Sequence, residues 1–317
     1  MSSDRATAGT VLRIERSSIH DGQGLRTVLF LKGCSLNCSW CSTPESKNAE
    51  PEKGYAAENC TTCGKCVDAC PEGALYSAGS NSQVITDPLK CKLCFLCAEI
   101  CPGKAVKKYG FAISVKEVMR EIAKDEIFYF HSGGGITLSG GEPLNQAVFA
   151  SEIMRESKKL GIHTAVESSL FGSYEHLEMF LPWLDVLYAD LKHMDSQTHR
   201  DWIGEDNYLI LDNLLKADQS HYPFSIIIRV PLIPGFNDSD QNLQDTMEFC
   251  AGLKKLKAIE LLPYHRLGSD TYHHLGRDNP CSTLTPQTAG QLLDRASFMK
   301  HLNSDIKVNI GSGFNEG

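Results

Sequence analysis

The chain has 317 residues, 31 of them basic and 39 acidic, so its formal charge is −8. This acidic balance without a run of Lys or Arg argues against nucleic acid as a main partner. We find no secretory signal in MSSDRATAGTVLRIERSS and no run of roughly 18 apolar residues that could span a membrane, so we expect a cytoplasmic protein with no membrane partner. In that compartment, 13 cysteines indicate metal or redox chemistry rather than disulfides.

The first predicted strand, RTVLFL at 26–31, is followed by a cysteine cluster in the sequence KGCSLNCSWC. Its cysteines have the spacing C-x3-C-x2-C and are Cys34, Cys38 and Cys41. Three thiolates that hold a 4Fe–4S cluster leave one iron open, and an open position on a metal is where a substrate binds. The alternative is a structural zinc site completed by Cys250 or Cys281, for which this spacing is poor.

The next segment, 50–109, contains an internal duplication in which each cysteine recurs 31 residues later. Each run reads C-x2-C-x2-C-x3-C-P, the bacterial ferredoxin pattern for two 4Fe–4S clusters, in which the fourth cysteine binds the other cluster. Zinc is the competing interpretation, but zinc sites favour paired C-x2-C steps with longer spacers. We therefore expect one cluster on Cys60, Cys63, Cys66 and Cys101, and the other on Cys91, Cys94, Cys97 and Cys70.

Outside this insert, β-branched strands alternate with amphipathic helices. The further predicted strands are 135–139, 163–168, 185–191, 224–232 and 258–264, and predicted helices include 148–160, 239–256 and 285–302. The last helix is predicted to place Pro286 at its first helical position, after a Thr cap. This alternation predicts an α/β fold with a parallel sheet, open or barrel-like, and with chemistry at the carboxyl ends of the strands. Cys250 and Cys281 lack ligand neighbours, so we expect core residues there.

The cysteine triplet after the first strand, together with SGGEPL after the second, resembles the radical S-adenosylmethionine superfamily. Within that superfamily, DGQGLRTVLFLKGC, the duplicated insert, YADLKHMD, IRVPLIPGFND and ELLPYHRLGSDTYHHLG resemble the activating enzymes of glycyl radical enzymes. The resemblance covers the chain from about Ile14 to about Leu302. It implies a partial (β/α)6 TIM-like barrel formed by 1–49 and 110–317, into which a ferredoxin-like domain with two 4Fe–4S clusters is inserted at 50–109.

The resemblance also implies an oxidoreductase that works anaerobically and cleaves S-adenosylmethionine reductively. The open iron would bind the amino and carboxylate groups, and one electron would yield methionine and a 5′-deoxyadenosyl radical. That radical would take a hydrogen atom from a backbone glycine of a partner enzyme and so generate a glycyl radical. Such chemistry depends on positioning and dryness, so no catalytic acid or base is expected. Implied cofactors are three 4Fe–4S clusters, S-adenosylmethionine and, in some family members, a monovalent cation.

The family's motifs assign contacts to S-adenosylmethionine, namely Trp40, Gly140, Gly141, Glu142, Glu167, Asp190, Lys192, Arg229 and His265. Gly140 and Gly141 would let the backbone approach the methionine moiety, while Glu142 would accept a hydrogen bond from its ammonium group. Lys192 would neutralise the carboxylate, and Asp190 would bind the nucleoside or a cation. A simple turn at SGGEP and a surface ion pair at Asp190 and Lys192 are the structural alternatives.

The other assigned residues would lie around the same opening. Trp40 would stack on the adenine ring or simply cover the cluster. Arg229 and His265 would end the fifth and sixth strands and face the opening, although a histidine beside a tyrosine is also a common rim residue. Glu167 and Ser168 would hold the cation together with Asp190, but the sequence has Glu-Ser-Ser where an acidic residue followed by Thr is often expected.

The implied partners are a glycyl radical enzyme and a flavodoxin or ferredoxin as electron donor, and we expect the chain itself to be a monomer. Asp21 lies in the run D-G-x-G-x-R and matches a position expected to meet the partner's glycine loop, although a DG pair is also a common turn. The rival functions are a radical enzyme that acts on a small molecule or peptide, and a non-catalytic electron carrier. The sequence leaves open which glycyl radical enzyme is activated, and whether the insert relays electrons or docks the partner.

Overall fold

The computed structural model describes residues 7–77, 79 and 83–311. Its strands are β1 (Ala8–Ser18), β2 (Arg26–Leu31), β3 (Glu52–Tyr55), β4 (Leu75–Ser77), β5 (Val84–Thr86), β6 (Val106–Tyr109), β7 (Phe111–Ser114), β8 (Gly135–Gly140), β9 (His163–Ser168), β10 (Val186–Asp190), β11 (Ser225–Leu232), β12 (Leu256–Pro263) and β13 (Val308–Ile310). Its helices are α1 (Lys65–Asp68), α2 (Leu96–Glu99), α3 (Val115–Ala123), α4 (Glu126–Ser132), α5 (Ala147–Lys159), α6 (Tyr174–Glu178), α7 (Ser196–Ile203), α8 (Tyr208–Gln219), α9 (Asp240–Ala251), α10 (Ser269–His274) and α11 (Ala289–Leu302). None of these helices is long and apolar enough to cross a membrane.

Nine strands form one sheet, in the order β13-β12-β11-β10-β9-β8-β2-β1-β7. The seven strands from β13 to β2 are parallel, whereas β1 and β7 are antiparallel additions at one edge. The predicted α/β class with a central parallel sheet is confirmed, and the six predicted strands correspond to β2 and β8 to β12. β13 extends the parallel part by one further strand beyond those predicted.

The parallel strands are buried on both faces, which explains their nearly continuous apolar sequences. In β2, every residue is buried except Phe30, which is half-buried, and β11 contains three consecutive isoleucines in its buried centre. Helices α5, α8, α9 and α11 cover the outer face and contribute Met154, Leu214, Met247 and Met299 to the main core. The carboxyl ends of all these strands therefore meet along one edge of a rigid scaffold.

Two of the predicted helix boundaries need correction. Helix α9 begins after its Ser239 cap as expected but ends at Ala251, because the segment that continues the predicted pattern turns and enters β12 at Leu256. The interpretation of Pro286 as the first residue of the last helix is wrong. Thr288 is the cap instead, since its side chain accepts from the Gln291 amide while the Gln291 side chain accepts from the Thr288 amide.

The segment between β2 and β7 folds around a separate small core. β3 pairs with β6 and β4 pairs with β5, both antiparallel, and two single-turn helices, α1 and α2, carry cysteines. The core contains two residue pairs that are related by the duplication, Cys66 with Cys97 and Leu75 with Val106. The two copies of the sequence repeat therefore contribute equivalent residues to the small core.

Buried charges fasten this segment to the barrel. Lys32, the residue after β2, is fully buried, and its ammonium group donates to the Glu45 carbonyl and, at 3.3 Å, to Glu52 at the start of β3. Arg277 also donates to the Glu52 carboxylate. Further along, the His274 ring lies 2.9 Å from a Glu58 carboxylate oxygen. The insert is thus held against the segment that follows the last long strand.

Candidate active site

The cysteine triplet lies on a loop that begins directly after β2. Backbone hydrogen bonds fix this loop at several points: Cys34 N donates to Lys47 O at 2.9 Å, and Asn37 N and Ser39 N donate to the end of helix α7 at 2.8 and 3.1 Å. All three cysteines border a cavity of about 270 Å³ at the carboxyl ends of the parallel strands. None of them is in a disulfide.

The structure brings eight of the nine motif-assigned contacts to this cavity and leaves Glu142 beneath its wall. The eight are Trp40, Gly140, Gly141, Glu167, Asp190, Lys192, Arg229 and His265. They come from six different segments between Trp40 and His265, and the parallel sheet is what aligns them. The three cysteines lie on the same wall as Trp40.

The two glycines are required by the chain's own backbone. A Cβ on Gly140, whose φ is +100°, would lie 2.6 Å from the amide nitrogen of Leu31. A Cβ on Gly141 would lie 2.3 Å from the carbonyl oxygen of Gly33. Close approach between the end of β8 and the end of β2 therefore explains both glycines, in addition to any approach of a ligand.

Glu142 follows β8 and joins it by hydrogen bonds to the end of β9. It is 1% exposed and accepts from Ser168 Oγ at 2.6 Å, from the Ser169 amide at 2.9 Å and from the Leu144 amide at 3.2 Å. The Ser169 hydroxyl also donates to it. Burial raises the pKa of this carboxyl, and the hydrogen bonds from the two serines oppose that shift. The side chain is thus occupied within the protein, unlike the expected contact with an ammonium group.

Asp190 and Lys192 form an ion pair at the end of β10, with 2.6 Å between Nζ and Oδ2. The Lys192 side chain is only 7% exposed. Burial lowers the pKa of its ammonium group, but Asp190, Cys38 and Cys34 together raise it by more, so the lysine stays charged. Asn237, fully buried, holds this turn by donating to the carbonyls of Lys192 and Pro231 at 2.8 and 2.7 Å. A fixed positive charge therefore faces the cavity.

A second charged group crosses the barrel interior. Arg229 lies within β11 rather than at its end, and its guanidinium donates to Glu167 on β9 and, at 3.2 Å, to Glu260 on β12. Glu167 also accepts from Ser139 Oγ at 2.6 Å. The guanidinium carbon lies 4.0 Å from the centre of the Tyr188 ring. Burial lowers the pKa of Arg229, but the two carboxylates raise it by more.

These pairs occupy the groups that were assigned to a monovalent cation. The Glu167 carboxylate is bound by Arg229 and Ser139, and the Asp190 carboxylate is bound by Lys192. The two acidic residues thus each face a cationic side chain of the chain itself. The residues present do not fit an additional cation, because no carboxylate of the pair is left without a counter-charge.

Trp40 and His265 also line the cavity. The Trp40 ring packs on Phe236 with 4.8 Å between ring centres, and Phe236 packs in turn on Trp202 at 4.9 Å. Both sequence interpretations of Trp40 are compatible with this position, since the ring borders the cavity and belongs to an aromatic cluster. His265 is exposed, and its Nδ1 accepts from the Leu267 amide at 3.4 Å.

Asp21 lies outside this cavity, in the 19–25 loop under the inner face of the sheet. Its carbonyl accepts from Thr137 Oγ1 at 2.8 Å, and its carboxylate accepts from Ser18. The fully buried Arg26 fixes the same loop by donating to Thr137 Oγ1 at 2.6 Å. The loop borders a second, larger cavity of about 980 Å³, and Arg229 lines both cavities.

The cysteines surround cavities in the way that clusters require. Within the described ranges, no three His, Cys, Asp or Glu side chains converge closely enough to share one metal ion. Each thiolate of a 4Fe–4S cluster binds a different iron, so its cysteines surround a space instead of meeting at a point. One small cavity is lined by Cys60, Cys63, Cys66 and Cys101, and another by Cys70, Cys91, Cys94 and Cys97.

Backbone amides also point at the ligand sulfurs of the insert. Ala74 N donates to Cys70 Sγ at 3.3 Å, and the duplicated residue, Ala105 N, donates to Cys101 Sγ at 3.2 Å. Hydrogen bonds of this kind stabilise thiolates that hold iron–sulfur clusters. The donor set and its surroundings therefore fit clusters in the insert as well as at the triplet.

Several residues that shape the site were given no role from the sequence. They are Asn237, Ser139, Ser169, Tyr188 and Glu260. All of them except Ser169 lie inside the quoted motifs, which pointed to these residues without indicating what they bind. The contacts themselves join different segments of the chain, so no local pattern predicts them.

Comparison with known proteins agrees with this geometry. The family model of the radical SAM superfamily matches residues 88–250, and a 4Fe-4S dicluster domain model matches residues 52–102. The fold resembles a radical SAM methyltransferase from Sphaerobacter thermophilus, with a TM-score of 0.50 and 14% identity, over 98% of this chain and 74% of that one. Fold and site together define a radical SAM protein.

Similar proteins identify a narrower class within the radical SAM superfamily. The chain is 40% identical to an isethionate sulfite-lyase activating enzyme from Oleidesulfovibrio alaskensis, over 87% of this chain and 90% of that one. It is 36% identical to a (2S)-3-sulfopropanediol dehydratase activating enzyme from Klebsiella oxytoca, over 94% and 93% of the two chains. This chain therefore belongs to the activating enzymes of glycyl radical enzymes, within the radical SAM superfamily.

Proposed function

We propose that this chain uses the triplet Cys34, Cys38 and Cys41 to hold a 4Fe–4S cluster with one open iron, and that it activates a glycyl radical enzyme. The observation that carries the proposal is the shared cavity of these cysteines with Lys192 and Gly140. When bound, the cluster supplies the electron that splits S-adenosylmethionine into methionine and a 5′-deoxyadenosyl radical, which takes hydrogen from a glycine of the partner. Two further clusters would occupy the insert, giving three in all.

The residues of the chain bind and position S-adenosylmethionine in this proposal. Lys192 neutralises its carboxylate, and the backbone at Gly140 and Gly141 lies beside the methionine portion. Trp40 offers an aromatic face for the adenine ring. Arg229 and Glu167 close the inner side of the cavity and limit the access of water, which protects a radical from side reactions.

We further propose that the larger cavity receives the glycine segment of the partner. Its volume of about 980 Å³ suits an extended peptide, and the loop that contains Asp21 borders it. Since Arg229 lines both cavities, one side chain separates the two reactants. We propose a monomer that receives electrons from a flavodoxin or a ferredoxin through the insert.

The proposal is tested with anaerobically reconstituted protein, S-adenosylmethionine and dithionite. We expect formation of 5′-deoxyadenosine and about twelve irons per chain, as three cubes require. Cys34→Ala should abolish the cleavage and leave about eight irons. The matched control is Cys250→Ala, a buried cysteine on helix α9, which should keep both the cleavage and the iron. Cleavage that survives in Cys34→Ala would refute the assignment of the triplet.

Partner activation has its own assay. Isethionate sulfite-lyase is the first partner to test, because a relative at 40% identity is named for its activation. We expect a glycyl radical signal in the electron paramagnetic resonance spectrum of the lyase when both proteins and S-adenosylmethionine are present. Turnover of a small substrate without any second protein would favour the small-molecule rival. A protein that holds iron but never cleaves S-adenosylmethionine would be an electron carrier.

A further inference from the structure

The two copies of the duplication differ most at their exposed positions. We name residues 58–70 the first lobe and residues 89–101 the second lobe, each carrying one cysteine run. The second lobe has Leu89, Lys90, Lys92, Leu93, Leu96 and Ile100 where the first lobe has Glu58, Asn59, Thr61, Thr62, Lys65 and Ala69. Apolar and cationic side chains have thus replaced mostly polar ones at equivalent places in one lobe.

The apolar residues of the second lobe lie in solvent. Leu89 is 90% exposed, and Leu93, Leu96 and Ile100 are 45%, 44% and 46% exposed. Leu96 and Ile100 are four residues apart, so they project from the same face of helix α2 and its end. Grouped exposed leucines and isoleucines of this kind mark a surface that contacts another molecule.

Backbone conformation does not require a leucine at residue 93, because its equivalent in the first lobe, Thr62, has nearly the same φ of +54°. Leu93 has a φ of +52°, and Phe95 has a φ of +64° where the first lobe has Gly64. Residues with a Cβ are disfavoured in this left-handed region, by about 1–3 kcal/mol. The side chain of Leu93 recovers little of that cost, since almost half of it remains exposed. A leucine there is better explained by a contact outside the chain.

The same leucines lie between a cluster site and the solvent. Leu93 and Leu96 border the cavity that is lined by four cysteines of the insert, Cys70, Cys91, Cys94 and Cys97. Both leucines are exposed, as are Glu72, Lys92 and Cys94 on the same cavity wall. A protein that packed on them would bring its own redox centre close to those cysteines, with apolar contacts excluding water between the two.

The charges around this cavity are mainly positive. Lys53 and Lys92 border it with Glu72, and Lys53 Nζ donates to Cys91 Sγ at 3.5 Å. Lys108 lies 4.7 Å from the centre of the Phe95 ring. In contrast, no charged residue is among the described residues that line the cavity of the first lobe. In a chain with a net charge of −8, this local positive charge favours an acidic partner.

The first lobe faces the barrel instead. Glu58 lies 2.9 Å from the His274 ring on helix α10, which begins one residue after Gly268. Gly268 itself touches the catalytic loop, since a Cβ there would lie 3.0 Å from the Cys41 carbonyl oxygen. Leu89, the equivalent of Glu58 in the second lobe, projects into solvent. One lobe is therefore directed at the catalytic cysteines, and the other is directed outward.

We propose that the second lobe is the docking face for an acidic one-electron carrier protein, an inference that rests on the proposed function. The reduced carrier would lose one electron to the 4Fe–4S cluster that Cys70, Cys91, Cys94 and Cys97 would hold, without transfer of a proton or change of a bond. The cysteines of the first lobe would hold the cluster that passes this electron on to the triplet. Transferred to S-adenosylmethionine, the one electron would break one carbon–sulfur bond and give methionine and a 5′-deoxyadenosyl radical.

The variant Leu93→Thr/Leu96→Gln tests this assignment, because it removes two exposed leucines without changing the charge of the second lobe. The first lobe accommodates threonine at a φ of +54° and a long polar side chain, Lys65, at the helix start, so the change is compatible with the local backbone. The affinity of reconstituted enzyme for an acidic flavodoxin is measured by calorimetry. We expect Kd to rise about tenfold or more, as loss of two apolar contacts implies.

Rates provide a second measurement. The rate of S-adenosylmethionine cleavage is measured once with flavodoxin and once with dithionite as the reductant. In the leucine variant, we expect the ratio of the first rate to the second to fall about tenfold. Lys90→Glu/Lys92→Glu should weaken flavodoxin binding and reduce its dependence on salt. If the leucine variant loses iron and cannot be assayed, this lysine variant still tests whether the second lobe is the docking face. The matched control is Thr62→Ala/Lys65→Ala in the first lobe, which should leave Kd and the rate ratio unchanged.

Unchanged Kd and rate ratio in both second-lobe variants would overturn the assignment. An equal loss in the first-lobe control would move the docking face to the first lobe. If the unmodified enzyme failed to cleave S-adenosylmethionine with dithionite, the proposed function would be refuted. Calorimetry with flavodoxin would still report on the docking face.

Discussion

The guanidinium of Arg229 on β11 reaches past β10 to the carboxylate of Glu167 on β9, so one ion pair spans three parallel strands. On its other side, Arg229 donates to Glu260 on β12 at 3.2 Å. The interior of the barrel is therefore crossed by a layer of charge beneath the catalytic cavity. Because the layer is buried, its charges depend on one another for compensation.

Arg229→Met should destabilise the protein strongly, since it leaves two buried carboxylates without their cation. We expect a loss of about 3–5 kcal/mol in the free energy of unfolding. Anaerobic urea unfolding of the reconstituted protein, followed by tryptophan fluorescence, measures it. Arg229→Lys is the matched control and should cost less, because it keeps the charge. Equal stability of Arg229→Met and the unmodified protein would show that Arg229 does not stabilise the two carboxylates.

S-adenosylmethionine cleavage should not depend on a monovalent cation. Arg229 and Lys192 already supply positive charge to Glu167 and Asp190, the two carboxylates assigned to such an ion. We expect equal cleavage rates with dithionite in sodium, potassium and choline chloride at constant ionic strength. A several-fold stimulation by potassium over choline would contradict this expectation and would mean that the two ion pairs open when the ion binds.

Glu142→Gln should act on stability rather than on the binding of S-adenosylmethionine. The glutamate accepts from two hydroxyls and two amides, and a glutamine would turn an NH2 group toward some of these donors. We expect a loss of about 2–3 kcal/mol. Glu152→Gln, on the surface of helix α5, is the control and should change stability by less than about 0.5 kcal/mol. An effect confined to the KM for S-adenosylmethionine would restore the sequence-based role.

Gly268→Ala should loosen the catalytic cluster. The new Cβ would lie 2.8 Å from the Ser42 carbonyl oxygen and 3.0 Å from that of Cys41, so the cysteine loop has to shift. We expect reconstituted protein to lose up to about four irons, those of one cube, and to lose cleavage in proportion. Gly290→Ala in helix α11 is the control, because its Cβ meets nothing within 4 Å. Full iron content in Gly268→Ala would show that the loop adapts without cost.

The strands predicted correctly are those whose burial is visible in the sequence as a run of apolar residues. The centres of the six predicted strands are buried and rich in apolar residues. β1 and β7 were not predicted because most of their residues are exposed or half-buried, and only Val11 and Leu12 of β1 are buried. β13 escaped because it has only three residues. Pairing of an edge strand depends on its neighbour, which no local pattern contains.

The site was predictable as a set of residues but not as a set of contacts. Motif spacing located Lys192 and Asp190, two residues apart, and their ion pair follows from that spacing. In contrast, Arg229 and Glu167 are 62 residues apart, and only the strand order brings them together. The same holds for Glu142 and Ser169, whose hydrogen bond joins the ends of two neighbouring strands and has no signal in the local sequence.

The chain enters the insert through β3 and leaves it through β6, and these strands lie side by side with Glu52 opposite Tyr109. Opposed residues of antiparallel strands are roughly 4.5–5.5 Å apart, a gap that a short hairpin turn closes. A gene could therefore acquire or discard the segment between them while the barrel keeps its strand order. The cysteine-rich insert is in this sense a separable unit, and its evolutionary history need not be that of the barrel.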